Sequence, residues 1–318
     1  MAEPMLLALK IDVDTLRGTF EGVPRLAEVL RRHAAGATFL FSVGPDHTGR
    51  AIRRVFRPGF FAKVQRTSVV RHYGMRTLLY GTLLPGPDIG RRCAEVMRRA
   101  RDEGLEVGLH AWDHVKWQDG LAGASAEWTA RQMQLGCERF AEIFGEAPRV
   151  HGAAGWQMSV HALRLTQALG FDYCSDGRGT HPHLPVWNAE LIRCPQLPTT
   201  LPTLDELIGT DGTDEANVAD RLLRLTEAPP SDAAFAGHVY TLHAELEGLR
   251  LAPVFERLIA GWKAQGYELV PMRALYERLQ ALSLPRCETG PGRVPGRSGT
   301  LFVQRAEFLG EVDLAQAA

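Results

Sequence analysis

The sequence predicts one α/β domain with a parallel sheet closed into a distorted (β/α)7-type barrel. Three observations predict it. β-like and helical runs alternate about seven times along the chain, a pattern that gives parallel strands with helices outside. The 318 residues, 45% of them hydrophobic, supply one large core. Finally, Asp12, Asp14, His110, Asp176 and His243 each fall at or just after the end of a β-like run. Such folds collect their reactive groups at that end of the sheet.

Each element has its own signal. Residues 6–13 are β-like; Asp12 and Asp14 share one face, Ile11 and Val13 the other. A helix over 24–35 starts on Pro24 and shows an apolar stripe of Leu26, Val29 and Leu30. Gly36 ends it, and 37–43 is a buried strand. Residues 89–103 are helical, and 105–109 form a strand leading to His110. The helix 126–144 has Met133, Cys137, Phe140 and Phe144 at helical spacing. A short strand over 150–153, a helix over 160–169 stopped by Gly170 and a strand over 171–175 follow. Residues 191–194 suggest another strand, and a helix over 215–226 closes before Pro229 and Pro230. Residues 238–242 form the strand before His243, and helices over 254–265 and 272–282 flank a strand at 267–270. The domain spans 1–285. Residues 286–318, rich in Gly and Pro, read as a flexible tail or surface extension.

Composition narrows the function classes. The net charge is −1, with 23% charged residues, which argues against wholesale disorder and against a nucleic-acid-binding protein. The five cysteines are odd in number and form no CxxC pair, so reduced thiols of a cytosolic protein are expected. The N-terminal apolar run ends in two aspartates and is too short for a signal peptide. No stretch reaches the roughly 20 apolar residues of a spanning helix. The expected location is cytoplasmic, free or peripheral on a membrane.

His110-Ala-Trp-Asp-His114 places two imidazoles where they can converge on one ion; a surface pair is the plainer alternative. Asp14 is the natural third ligand, leaving positions for water and substrate. Asp12 beside it suits a general base, although both acids could instead cap the loop. His243 and Glu245 share a face at a strand end, and His243 can protonate a departing amine. A core histidine is the alternative. Asp176 offers a partner that would orient and charge the ring.

Between Thr48 and Pro87 there is no Asp or Glu. Arg50, Arg53, Arg54, Arg57 and Lys63 alternate there with aromatics such as Phe60 and Phe61. Basic and apolar groups together suit an anionic membrane surface or a lipid phosphate. An ordinary solvated insertion after the second strand is the alternative, and RNA binding lacks any accompanying motif.

Taken in order, IDVD, HAWDH and TLHAE resemble the motifs of the polysaccharide deacetylase (NodB-like, carbohydrate esterase family 4) superfamily. The resemblance implies Asp12 as base, Asp14, His110 and His114 as ligands of one divalent cation (Zn, Mn or Co), and His243 as acid. KIDVDTLRGTFEGVP, FLFSVGPD, EVGLHAWDH, AAGW, SDGRG, LPTTLPTLDELIG and YTLHAELEG extend it across residues 5 to about 285. They look like the branch that removes formate from a formamido-arabinose on an undecaprenyl phosphate carrier. That reaction serves lipid A modification and resistance to cationic peptides such as polymyxin, at the cytoplasmic face of the inner membrane. Thr15, Arg17, Trp156, Asp176, Arg178 and Glu245 are implied as substrate-binding or supporting. One departure stands out. The superfamily's Arg-x-Pro-aromatic motif is replaced by Ala153-Ala-Gly-Trp156, with Trp156 expected as a pocket wall or a core residue. A soluble deacetylase of a glycan or other linear amide is the rival reading; a non-catalytic lipid-binding protein would lack the base or the acid, and both are present.

Overall fold

The computed structural model describes residues 4–51, 74, 76–228, 237–279 and 283–309. Seven parallel strands form the main sheet: β1 (Met5–Val13), β2 (Thr38–Ser42), β3 (Glu106–Ala111), β4 (Val150–His151), β5 (Tyr173–Cys174), β8 (Gly237–His243) and β9 (Tyr267–Val270). The order is β5-β4-β3-β2-β1-β8, with β9 also on β1. One edge of β1 is covered by β8 from Leu6 to Asp12; along the other, β9 takes Met5–Ala8 and β2 takes Lys10–Val13. Among the described residues no strand joins β5 to β8. The irregular segment 195–201 spans that gap instead: Leu197 N donates to Cys174 O (2.8 Å) and Thr200 N to Val239 O (3.0 Å). The barrel is therefore distorted in the way the sevenfold alternation implies.

The two faces of β1 are sorted by its period of two. Leu7, Leu9, Ile11 and Val13 pack outward against the helices. These are α1 (Val23–Arg32), α2 (Ile89–Asp102), α3 (His114–Gly120), α4 (Ala126–Phe144), α5 (Val160–Ala168), α6 (Leu204–Leu207), α7 (Val218–Arg224), α8 (Ala252–Ala264) and α9 (Met272–Leu279). Leu6 and Ala8 point inward to a smaller core with Leu40, Val150, Tyr173 and Val239, plugged by Met272 and Leu275 of α9. Lys10 and Asp12 continue the inward row. The barrel interior is thus apolar at one end and ionic at the other, where the strands finish.

Of the two readings of the C-terminal segment, the described residues 286–309 take the surface extension: β10 (Arg286–Gly292) and β11 (Leu301–Glu307) form a hairpin. This hairpin joins β6 (Leu184–Trp187) and β7 (Glu190–Leu191) in a second sheet of order β11-β10-β6-β7. Tertiary pairing overrides its Gly and Pro content: Arg286–Glu288 lie parallel to Leu184–Val186, and Phe302 stacks on Trp187 at 5.7 Å. The strand expected at 191–194 shrinks to Glu190–Leu191, in this second sheet. Among the described residues no helix is long and apolar enough to cross a membrane. The basic insertion falls between β2 and α2, and Arg53, Arg54, Arg57, Phe60, Phe61 and Lys63 lie outside the described residues.

Candidate active site

Asp12 sits at the ionic end of β1, register-paired with His243 of β8. Its Oδ2 lies 3.4 Å from Lys10 Nζ. Lys10 is fully buried, donates to Ser175 O at 3.0 Å and lies over the Trp156 ring at 5.3 Å. A buried ammonium is costly unless paired, so this lysine belongs to the carboxylate it faces. Asp12 Oδ1 is buried without a hydrogen-bond donor and remains an open proton acceptor. Sequence reasoning missed Lys10. Its signal was a lysine inside a strand that is otherwise apolar up to the aspartates.

The two histidines arrive from adjoining elements. Register slips between the Phe41–Leu109 and Ser42–Ala111 pairs of β2 and β3, leaving His110 as the extra residue, a bulge of the kind that re-aims a side chain. Its Nδ1 lies 2.6 Å from Gly152 O, so Nδ1 carries the proton and Nε2 presents its lone pair. His114 opens α3, capped by Asp113, whose carboxylate accepts from Lys116 N and contacts His47 Nδ1 at 2.6 Å.

Asp14 Oδ1 and Oδ2 lie 3.2 and 3.5 Å from the Nε2 atoms of His110 and His114. Around an ion with bonds of roughly 2.0–2.1 Å, tetrahedral donors stand about 3.3 Å apart. The contact to His110 lacks hydrogen-bond geometry, and Asp14 Oδ1 is a buried acceptor with no donor. Two imidazoles and one carboxylate, all within 4.8 Å of one another, fit a divalent cation. Burial alone would raise the Asp14 carboxyl; His114, His110 and His243 outweigh it and hold it well below the usual range. Burial opposes charge on His110, and Asp12 and Asp14 reverse that effect and raise it.

The turn after Asp14 is fixed by Glu245. Its Oε1 accepts from Asp14 N (3.0 Å), Thr15 N (2.8 Å) and Thr15 Oγ1 (2.8 Å). Burial and the Asp14 charge push the Glu245 carboxyl well above its ordinary value. Glu245 and Thr15 are thus supports of the ligand turn. Arg17, two residues on, pairs with Glu21 at 3.3 Å. It lines a cleft of about 490 Å³ together with Leu16, Phe20, Arg76, Tyr80 and Arg92. Arg50, the one described residue of the expected basic contact set, donates from Nε to Gly81 O at 2.9 Å.

His243 ends β8. Its backbone N donates to Glu247 Oε2 at 2.9 Å, and Tyr240 donates to Glu247 Oε1 at 3.2 Å. Burial pushes Glu247 up to about 7, against the pull of His243. Sequence reasoning missed Glu247, whose signal was only its place four residues past His243. The expected pairing of Asp176 with His243 is corrected. Asp176 Oδ1 contacts His151 Nδ1 at 2.6 Å, and Oδ2 accepts from Gln196 at 2.8 Å. Both oxygens are committed because Asp176 follows β5 beside β4, across the unclosed side from β8. His243 Nδ1 is buried without a hydrogen-bond partner. What His243 does meet is the Trp156 ring, in a T-shaped arrangement with centroids 6.3 Å apart. Trp156 is 2% exposed, the burial of a core residue. Arg178 lies over its ring at 5.3 Å and pairs with Glu206 at 2.5 Å.

Comparison with known proteins gives the family and the fold. Residues 9–174 match the polysaccharide deacetylase family. The chain is 39% identical over 298 residues to a Shewanella sediminis (strain HAW-EB3) protein assigned as a 4-deoxy-4-formamido-L-arabinose-phosphoundecaprenol deformylase, ArnD, covering 94% of each. A Wigglesworthia glossinidia brevipalpis protein of the same assignment is 30% identical over 289 residues, covering 91% of this chain and 98% of its own. In fold, the chain is similar to a Mycobacterium smegmatis structure assigned as a polysaccharide deacetylase. That pair has a TM-score of 0.59 at 18% identity, over 89% of this chain and 94% of the other.

Proposed function

The chain belongs to the polysaccharide deacetylase family and, within it, to the ArnD deformylases; on that premise we propose that it hydrolyses the formamide of 4-deoxy-4-formamido-L-arabinose-phosphoundecaprenol. The products are formate and the 4-amino sugar lipid. One observation carries the reading. Asp12, Asp14, His110, His114 and His243 come from three separate regions of sequence and meet at one end of the barrel.

Asp14, His110 and His114 would hold the cation, and their mixed nitrogen and oxygen donors suit Zn²⁺, Mn²⁺ or Co²⁺. When bound, such an ion supplies Lewis acidity, acidifying water and polarising a carbonyl. Asp12 Oδ1 takes a proton from the attacking water, while Lys10 neutralises the other oxygen. The water oxygen adds to the formyl carbon, the C–N bond breaks, and His243 gives a proton to the departing amine. Glu247 anchors the backbone of His243, and Trp156 bounds its ring.

The lipid part of the substrate has its own support. Arg17, Arg76 and Arg92 share a cleft with Leu16 and with Phe20, which is 65% exposed. Guanidinium groups beside apolar side chains suit a phosphate on a lipid chain. The basic stretch adds Arg53, Arg54, Arg57 and Lys63, for peripheral attachment to the anionic cytoplasmic face of the inner membrane. The direct test is incubation with the formamido-arabinose lipid, with and without chelator, followed by assay of formate. Chelator-sensitive release of formate is expected. Release of acetate from an acetylated sugar, with none of formate, would overturn the reading in favour of a soluble deacetylase.

A further inference from the structure

Trp156 adopts φ +51°, a left-handed conformation that costs a bulky residue free energy and persists only where the surroundings enforce it. Those surroundings come from the C-terminal hairpin. Gln157 Nε2 donates to Thr300 O at 2.8 Å. Arg178 N donates to Phe302 O at 2.9 Å, and Gln304 N donates to Arg178 O at 2.8 Å. Arg297, in the turn between β10 and β11, lies over the Trp156 ring at 4.7 Å, closer than Lys10 or Arg178. Its guanidinium is fixed by Glu206 Oε1 (2.7 Å), Asp205 Oδ1 (3.0 Å) and Thr203 Oγ1 (3.0 Å). On its other side the indole donates to Thr199 Oγ1 at 3.2 Å, which meets Thr241 of β8 at 2.6 Å, two residues before His243.

We propose that the β10–β11 hairpin is a working part of the active site, and that Arg297 is a positioning residue that presses Trp156 against His243. A chain of contacts runs from Arg297 through the indole to the imidazole, whose ring centroid lies 6.3 Å from that of the indole. A cation over an aromatic face is attracted by the ring quadrupole, the more so when desolvated, and the Arg297 side chain is 13% exposed. The acid has no hydrogen bond of its own at Nδ1, so its aim depends on this packing. Small misplacement of an acid costs rate rather than affinity.

Arg297→Ala tests this in the full-length chain. The ring signals of His243 in a ¹H–¹⁵N NMR spectrum should move, while those of His33, at the far end of α1, stay in place. Unmoved His243 signals would overturn the proposal, whatever the turnover. The kinetic arm rests on the deformylase reading: kcat should fall about 10-fold or more with KM within about twofold, with partial recovery in Arg297→Lys or on adding guanidinium ion. An active parent with an unimpaired Arg297→Ala overturns the proposal; a parent that releases no formate overturns the deformylase reading instead, and the NMR arm still decides this one. Should Arg297→Ala fail to fold, Arg297→Gln carries the same expectations.

Discussion

Lys10 shows how much of the site rests on residues that do no chemistry themselves. It supplies the charge that lets Asp12 stay in the barrel interior, where a lone carboxylate would be costly. Asp12→Asn removes the proton acceptor and keeps the shape. Its metal content should match the parent, and formate release should fall by roughly 10²–10⁴-fold; undiminished turnover would reject Asp12 as base. Glu247 makes a separate prediction. Its carboxyl is raised in the fold to about 7 from the ordinary 4.5. The unfolded chain therefore gives up this proton first. The stabilising contribution is full below pH 4.5 and is lost as pH rises toward 7, a change on the order of 3 kcal/mol. Glu247→Gln stays neutral and should lack that slope. Thermal melts at pH 5 and pH 8 should show the variant gaining a few degrees on the parent at the higher pH; parallel curves would contradict this. The residues proposed as ligands, base and acid were legible as candidates because strand ends and H-x3-H are local signals. Lys10 and the true partner of Asp176 were not, because each depends on which distant strand lies alongside; Glu247, only four residues past His243, had no motif to mark it.

At the level of elements, local rules held wherever caps were strong. α4 occupies the residues its periodicity implies, with the Ser125 side chain accepting from Trp128 N and Gly145 left-handed at φ 79°. The short strands β4 and β5 were legible only as weak runs, since two residues each carry little pattern. The hairpin was illegible: Gly290, Pro291 and Gly292 look like a loop, and only their pairing with Val303, Phe302 and Leu301 of β11 makes them a strand. The turn from β1 into the short helical turn over Gly18–Gly22 is equally dependent on fit. A Cβ on Gly18 would overlap Glu245 Oε1, the atom that gathers Asp14 and Thr15. Gly18→Ala should therefore weaken the metal site from outside it. We expect roughly 1–3 kcal/mol of lost stability and weaker metal retention on dialysis. Parent-like retention would show that the turn can yield without disturbing Asp14.

For the whole molecule, the proposed membrane attachment has to reconcile a net charge of −1 with an anionic surface. The answer proposed above is uneven distribution of charge, with no acid between Thr48 and Pro87. Each basic group near such a surface contributes about 1 kcal/mol. Replacing Arg53, Arg54 and Arg57 together by Glu should lower partitioning onto phosphatidylserine vesicles by at least about 100-fold and leave a water-soluble formamide substrate unaffected. Equal co-sedimentation would remove the membrane role and leave the chemistry untouched. A barrel was legible from alternation alone, but its means of closure was not, because segment 195–201 bridges β5 and β8 without strand periodicity.

The strand β1 is clasped by three others, one from early and two from late in the chain. Across Leu9–Asp12 its amides stay away from solvent until β8 and β2 let go. Deuterium should therefore enter Leu9–Asp12 last of all, at the rate of complete unfolding. Partial denaturation ought to leave the catalytic carboxylate seated until the remainder of the protein has melted.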